Sequence, residues 1–124
     1  GYDYAQNGGH NSTAEDRVYR LPLDVWANDD QFVIKAYLPG VHADEVEITF
    51  EGEELTISGR YPTSEETAEY FKQELFHGKF SRTLTFNLAV NADGIEALFE
   101  NGVLTLTVPK AEEILPKRIK VQAK

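Results

Sequence analysis

The sequence predicts an all-β fold, an antiparallel sandwich of about seven to eight short strands. Apolar and polar residues alternate with the period of a half-buried strand in several segments, and clusters of turn-forming residues separate these segments. No segment shows the spacing of an amphipathic helix. The 124 residues suffice for one domain with flanking segments. Many short strands at this length favour two packed antiparallel sheets.

Residues 1–20 form the first segment of the chain, and they are predicted to be a flexible arm. This stretch is rich in Gly, Asn, Ser and Thr and shows neither the strand nor the helix period. The chain begins with Gly1 and contains no Met. We therefore expect the arm to be truncated.

Four strands are predicted between residues 21 and 59. Turn-forming residues at 28–30, Pro39-Gly40 and 51–53 separate them. In each strand the apolar residues occupy alternate positions, so one face is expected to pack on a core. The apolar sets are Leu23 and Val25, then Phe32, Ile34, Ala36 and Leu38, then Val46, Ile48 and Phe50, then Leu55 and Ile57.

A long acidic loop that carries a short strand is predicted at residues 61–78. The strand after the loop carries Arg82 on the same face as Phe80, Leu84 and Phe86. An arginine on an apolar face must find a polar partner or extend to an edge. Two interpretations stay open: an edge residue that reaches solvent, and a paired arginine at a dimer interface.

A tight hairpin is predicted at Asn101-Gly102, since these residues accept the positive φ angles of a two-residue turn. Leu104, Leu106 and Val108 alternate with threonines in the strand that follows. Pro109 lacks a backbone donor and is expected to end that strand.

This hairpin resembles the signature of the small heat-shock protein, or α-crystallin, family, in which Ala-x-x-x-Asn-Gly-Val-Leu precedes a short strand and Pro-Lys. The Leu38-Pro39-Gly40-Val41 segment, the long loop and Phe80-Ser81-Arg82 occur in the order typical of that family. The resemblance implies an immunoglobulin-like α-crystallin domain at residues 21–110 and a C-terminal extension at 111–124.

The extension contains Ile119-Lys120-Val121, which is similar to the Ile-x-Ile/Val motif of the family. Residues at i and i+2 of an extended chain point the same way and can fill a two-pocket groove. The resemblance implies that this groove belongs to a neighbouring subunit. Ile114-Leu115 is a competing candidate, and packing of Ile119 and Val121 within their own domain is a third possibility. The implied groove residues are Val46, Ile48, Phe50, Ile95 and Ala97.

The resemblance also implies a homodimer in which a strand within residues 68–76 of the long loop adds to the edge of a partner's sheet, with larger oligomers linked by the tails. Strand addition covers an edge that is otherwise open to uncontrolled pairing. The implied dimer interface comprises Arg82, Tyr70, Phe71, Leu75, Leu23 and Val25.

Charge and composition exclude several functional classes. The net charge of −9 argues against nucleic acid and anionic membranes as partners. Five cations and two glutamates give residues 110–124 a charge of +3, which leaves −12 for the remainder. No apolar run approaches the length of a membrane span. The absence of a secretory signal and of Cys favours the cytoplasm.

The function implied by the resemblance is that of an ATP-independent holdase chaperone that binds partly unfolded client proteins. No glycine-rich phosphate loop, thiolate metal site or nucleophile-base pattern is visible, so we expect no cofactor and no enzymatic activity. The alternative is a β-sandwich adaptor of the CS-domain type that binds one folded partner. The tail motif and the long loop argue against it.

Overall fold

The structure, a computed structural model, describes residues 17–124 and contains eight strands within them. The strands are β1 (Val18–Arg20), β2 (Asp24–Ala27), β3 (Gln31–Tyr37), β4 (Val46–Glu51), β5 (Glu54–Tyr61), β6 (Gly78–Thr85), β7 (Glu96–Glu100) and β8 (Val103–Pro109). Three single-turn 3₁₀ helices lie at Ala43–Glu45, Ala92–Gly94 and Glu112–Ile114. No α-helix occurs in this part of the chain. The predicted all-β fold is confirmed.

Two four-stranded sheets make up the sandwich, with strand orders β1-β6-β5-β4 and β2-β3-β8-β7. All neighbouring strands are antiparallel except β1 and β6, which run parallel. Strand β1 lies in the segment predicted to be a flexible arm, so that prediction was wrong for Val18–Arg20. Three residues are too few to show a period, and pairing with β6 imposes the strand. Residues 1–16 of the predicted arm lie outside the described residues.

The core consists of the inward faces of both sheets. The alternation predicted from the sequence is confirmed in β8, where Leu104, Leu106 and Val108 are buried and the threonines between them are half-buried. The largest side chains with almost no exposed surface are Phe80, Leu21, Ile34, Leu38, Leu55, Ile57, Leu106 and Val108.

The hairpin between β7 and β8 has the predicted turn. Asn101 and Gly102 have φ angles of 54° and 77°, both in the left-handed region. The carbonyl of Gly102 accepts a 2.7 Å hydrogen bond from the backbone N–H of Leu38. A Cβ on Gly102 would lie 3.2 Å from the Cα of Pro39. The two segments that carry the family resemblance therefore contact each other.

The loop between β5 and β6 spans residues 62–77, close to its predicted bounds, but it contains no strand. The prediction of a strand within residues 68–76 was wrong for the chain by itself, because a strand needs a neighbouring backbone to pair with. The ring of Phe76 lies 4.7 Å from that of Tyr19 and 5.6 Å from that of Tyr61. Nδ1 of His77 lies 2.7 Å from the carbonyl oxygen of Pro62, which closes the base of the loop.

Candidate functional site

Each side of the sandwich presents two sheet edges. Strands β1 and β2 are the edges of different sheets, yet only residues 21–23 join them, so these two edges must lie on the same side. The remaining edges, β4 and β7, therefore share the opposite side. Each has one neighbouring strand in the described chain and one free row of backbone groups.

The predicted groove residues lie on or next to the edge strands β4 and β7. Val46, Ile48 and Phe50 point inward from β4 and are half-buried against the core. Ile95, just before β7, is half-buried in the same way, whereas Ala97 is exposed. We call these five residues the groove.

Phe99 belongs to the same inward face but was missed in the sequence-based set. Ala97 pairs with the buried Leu106 and Phe99 pairs with the buried Leu104, so both face the core side of β7. Phe99 is half-buried and packs against the core. Its spacing of two residues from Ala97 was the available signal.

Four of the six outward positions on these edge strands are acidic. Glu47 and Glu51 alternate with the groove residues of β4, and Glu96 and Glu100 flank the inward residues of β7. All four side chains are exposed. We call them the rim glutamates.

The C-terminal extension stays attached to the domain only as far as its first residues. Strand β8 ends at Pro109 as predicted, Lys110 forms a bridge with Val90, and Ala111 is buried and donates a 2.9 Å hydrogen bond to the carbonyl of Ala89. Beyond Leu115 the chain has no regular secondary structure.

The two candidate tail motifs differ in conformation. Ile119 and Val121 are 86% and 88% exposed, so neither packs within its own domain. Ile114 ends a 3₁₀ turn, and its backbone N–H bonds to the carbonyl of Ala111 at 3.1 Å. Ile114 and Leu115 are adjacent rather than spaced by two residues, so they do not have the extended spacing that a two-pocket groove requires.

On the other side of the molecule, β2 is the free edge of its sheet. Val25 is 45% exposed and Leu23 is half-buried. The loop supplies exposed apolar side chains, namely Tyr70, Leu75 and the fully exposed Phe71. Beside β2 lies a cavity of about 340 Å³, lined by Tyr19, Pro22, Leu23, Asp24, Lys35, Ala36, Tyr37 and Tyr61.

Arg82 has a polar partner within its own chain. Its Nη1 donates a 2.9 Å hydrogen bond to the carbonyl of Leu21, in the link between β1 and β2. Leu21 itself is completely buried, and its N–H bonds to the carbonyl of Ser81 at 3.2 Å. A charged donor therefore satisfies a carbonyl that solvent does not reach. A further contribution of Arg82 to a dimer stays a prediction.

The aromatic cluster at the base of the loop raises the pKa of one of its tyrosines, Tyr61. Burial raises the pKa of Tyr61 above its usual 10.0, and the neighbouring Tyr19 raises it further. The hydroxyl of Tyr61 donates a 3.3 Å hydrogen bond to the carbonyl of Tyr37. Tyr61 therefore links β5 to the end of β3 as a neutral phenol at physiological pH.

Among residues 17–124 no group of three or more His, Cys, Asp or Glu side chains could hold a metal ion. The described chain also has no helix long and apolar enough to cross a membrane.

Comparison with known proteins decides the family. The model of the Hsp20/alpha crystallin family matches residues 24–122, which include strands β2 to β8 and the tail motif. The chain belongs to the Hsp20/alpha crystallin family. Members of this family are small heat shock proteins, and membership supports a chaperone role.

Individual relatives and solved structures agree with this assignment. The 18 kDa antigen 2 of Mycobacterium avium is 39% identical over 101 residues, which are 82% of this chain and 73% of the relative. The probable 15 kDa heat shock protein of Leptospira interrogans is 32% identical over 120 residues, 92% of either chain. Heat shock protein 16.0 from Schizosaccharomyces pombe superposes with a TM-score of 0.66 at 33% identity, over 85% of this chain and 98% of the other. A small heat-shock protein from Xylella fastidiosa gives 0.69 at 31% identity, over 83% and 96%.

Proposed function

We propose that this small heat shock protein is an ATP-independent holdase, which binds partly unfolded proteins and prevents their aggregation. The observation that carries the proposal is the set of apolar side chains exposed at open sheet edges, in the loop and on the tail. Exposed apolar surface binds the apolar surface of an unfolding client because both lose contact with water. Such binding needs no reacting group, and the absence of cofactor and enzymatic activity stays a prediction, as does the cytoplasmic location.

The dimer is proposed to form by exchange of the loop. Residues 68–76 of one subunit would add to the free edge of β2 in its partner, where Leu23 and Val25 are accessible. The exposed Phe71 and Leu75 would gain apolar contacts there. This arrangement explains why the loop has no strand in the single chain, since its pairing edge belongs to another subunit.

Larger assemblies are proposed to form when the tail of one subunit occupies the groove of another. Ile119 and Val121 have the spacing for two pockets and are fully available in the single chain. The groove offers half-buried apolar residues between two free edges. Ile114 and Leu115 do not have this geometry.

Chaperone activity is tested by light scattering of a heat-aggregating client protein, with the folded chain and without ATP. We expect suppression of scattering that rises with the molar ratio of chain to client and does not change when ATP is added. A folded chain that leaves the scattering unchanged at several-fold molar excess would contradict the holdase and favour an adaptor.

Loop exchange is tested by replacing Phe71 and Leu75 with Ser and measuring molecular mass by light scattering. We expect loss of the dimer. The control replaces Leu88, which is also exposed but lies outside the loop and outside the cavity beside β2, with Ser. Equal masses for the loop variant and the unaltered chain would refute the exchange.

A further inference from the structure

The rim glutamates lie on the outward faces of the two edge strands, next to which a tail in the groove would lie. In β4 the inward residues Val46, Ile48 and Phe50 alternate with Glu47 and Glu51, and Thr49 lies between the two glutamates. Strand β7 repeats the arrangement, with Glu96 and Glu100 on either side of the exposed Leu98. Each free edge therefore carries two carboxylates at i and i+4, roughly 13 Å apart along an extended strand.

The tail carries the opposite charge with the same alternation. Residues 115–124 contain four cations and no acidic residue. If Ile119 and Val121 face inward, Arg118 and Lys120 must face outward, because side chains alternate in an extended chain. The outward residues of the tail then lie beside the outward residues of either edge strand, as cross-strand neighbours.

We infer that Glu47, Glu51, Glu96 and Glu100 select the tail of a second copy of this chain through Arg118 and Lys120. The inference depends on the proposed docking of the tail in the groove, and adds what determines its specificity. Opposite charges on neighbouring strands attract and like charges repel, so the rim favours a basic segment and rejects an acidic one.

The same reasoning discriminates between the two tail motifs. Ile114 directly follows Glu112 and Glu113, so docking it would bring two carboxylates to an edge that already carries two. Ile119 lies between Arg118 and Lys120 and brings cations. Charge and backbone conformation therefore favour the same segment.

The proposed ion pairs between the rim glutamates and the tail are exposed to solvent, which limits their strength. Exposed ion pairs contribute little individually and are screened by salt. Two outward cations next to carboxylates on both edges should change the affinity of the tail by about three- to tenfold. An oligomer held by many such contacts should shrink as the ionic strength rises.

The experiment reverses the charges on each side separately and then together in the full chain. One variant is Arg118→Glu with Lys120→Glu, the second is Glu96→Lys with Glu100→Lys, and the third combines all four changes. The matched control is Asp29→Lys with Asp30→Lys, which changes the net charge as much as the second variant but lies in the exposed turn between β2 and β3, outside the rim and the loop. Circular dichroism checks that each variant is folded.

Light scattering measures the mass of each variant over a range of concentrations at 50 and 500 mM NaCl. We expect both single-sided variants to need more protein to assemble at low salt than the unaltered chain, with the tail variant needing the most, about three- to tenfold, because both edges then repel it. The combined variant should need less protein than the tail variant, because attraction at β7 returns, and the control should match the unaltered chain. A combined variant no better than the tail variant, or an assembly indifferent to salt, would overturn the inference.

A separate variant, Ile119→Ser with Val121→Ser, distinguishes the two proposals. If it dissociates the assembly while the charge variants behave like the unaltered chain, tail docking stands and the selection by rim glutamates is wrong. If it leaves the assembly intact, tail docking itself is wrong.

Discussion

Removal of the Arg82 guanidinium tests whether this residue stabilises the domain from within. Arg82→Met keeps an unbranched apolar stem but leaves the carbonyl of the fully buried Leu21 without its 2.9 Å donor. A hydrogen bond from a charged group contributes about 1.5–3 kcal/mol net to the free energy of unfolding. For a domain of this size that corresponds to a melting temperature lower by roughly 6–20 °C.

The assay is urea unfolding followed by the fluorescence of Trp26, the single tryptophan, which lies on β2 close to the affected link. We expect Arg82→Met to lower the midpoint by a similar amount at every protein concentration. Arg82→Lys should recover part of the loss, because an ammonium can also donate to the carbonyl. Thr85→Ala, on the exposed side of the same strand, serves as the control.

Two results would refute this reasoning in different ways. An unchanged midpoint for Arg82→Met would mean that the bond to Leu21 contributes nothing to stability. A midpoint that falls only at low protein concentration would mean that Arg82 acts through dimerisation, since only an interface couples stability to concentration. Size-exclusion chromatography of Arg82→Ala then reports directly on the dimer.

Three further predictions concern the domain. Gly59→Ala places a Cβ 2.5 Å from Cζ of Phe80, so we expect a loss of about 1–3 kcal/mol in thermal unfolding, and an unchanged melting temperature would contradict this close contact. Leu106→Ala should cost about 2–5 kcal/mol in urea unfolding, against less than about 0.5 kcal/mol for the exposed Leu98→Ala. Because the folded state raises the pKa of Tyr61 above 10.0, its contribution is present below pH 10.0 and is lost as pH rises through the folded pKa. Tyr61→Phe should therefore weaken the alkaline decline of the unfolding midpoint, and an identical decline would contradict the shift.

The sheets could be predicted from the sequence because each strand buries one face. Burial imposes the period of two on β3, β4, β5 and β8, and the Asn101-Gly102 turn requires residues that tolerate positive φ. Strand β1 could not be predicted in this way. Its residues are exposed, so backbone pairing with β6, rather than burial, holds them in a strand. Such pairing does not require alternating apolar residues, and three residues are too few to show an alternation.

The inward positions of the candidate groove residues could be predicted for the same reason. Val46, Ile48, Phe50 and Ile95 show the inward period, and the structure places them at two free edges on one side. The hydrogen bond from Arg82 to the carbonyl of Leu21 was not visible in the sequence, because a backbone acceptor carries no residue-type signal. The loop strand also depends on an edge that a single chain cannot supply.

In the proposed function, the exposed apolar residues would connect assembly with client binding. Phe71, Leu75, Ile119 and Val121 are each at least 80% exposed in the single chain, which makes them available to a partner. Partner subunits and unfolded clients would present the same apolar chemistry, so we expect them to compete for these side chains. A condition that weakens the proposed contacts between subunits, such as heat or salt, would then increase the surface available to clients. On this argument, variants that dissociate the assembly while keeping the groove and the tail intact should suppress aggregation at lower molar ratios than the unaltered chain.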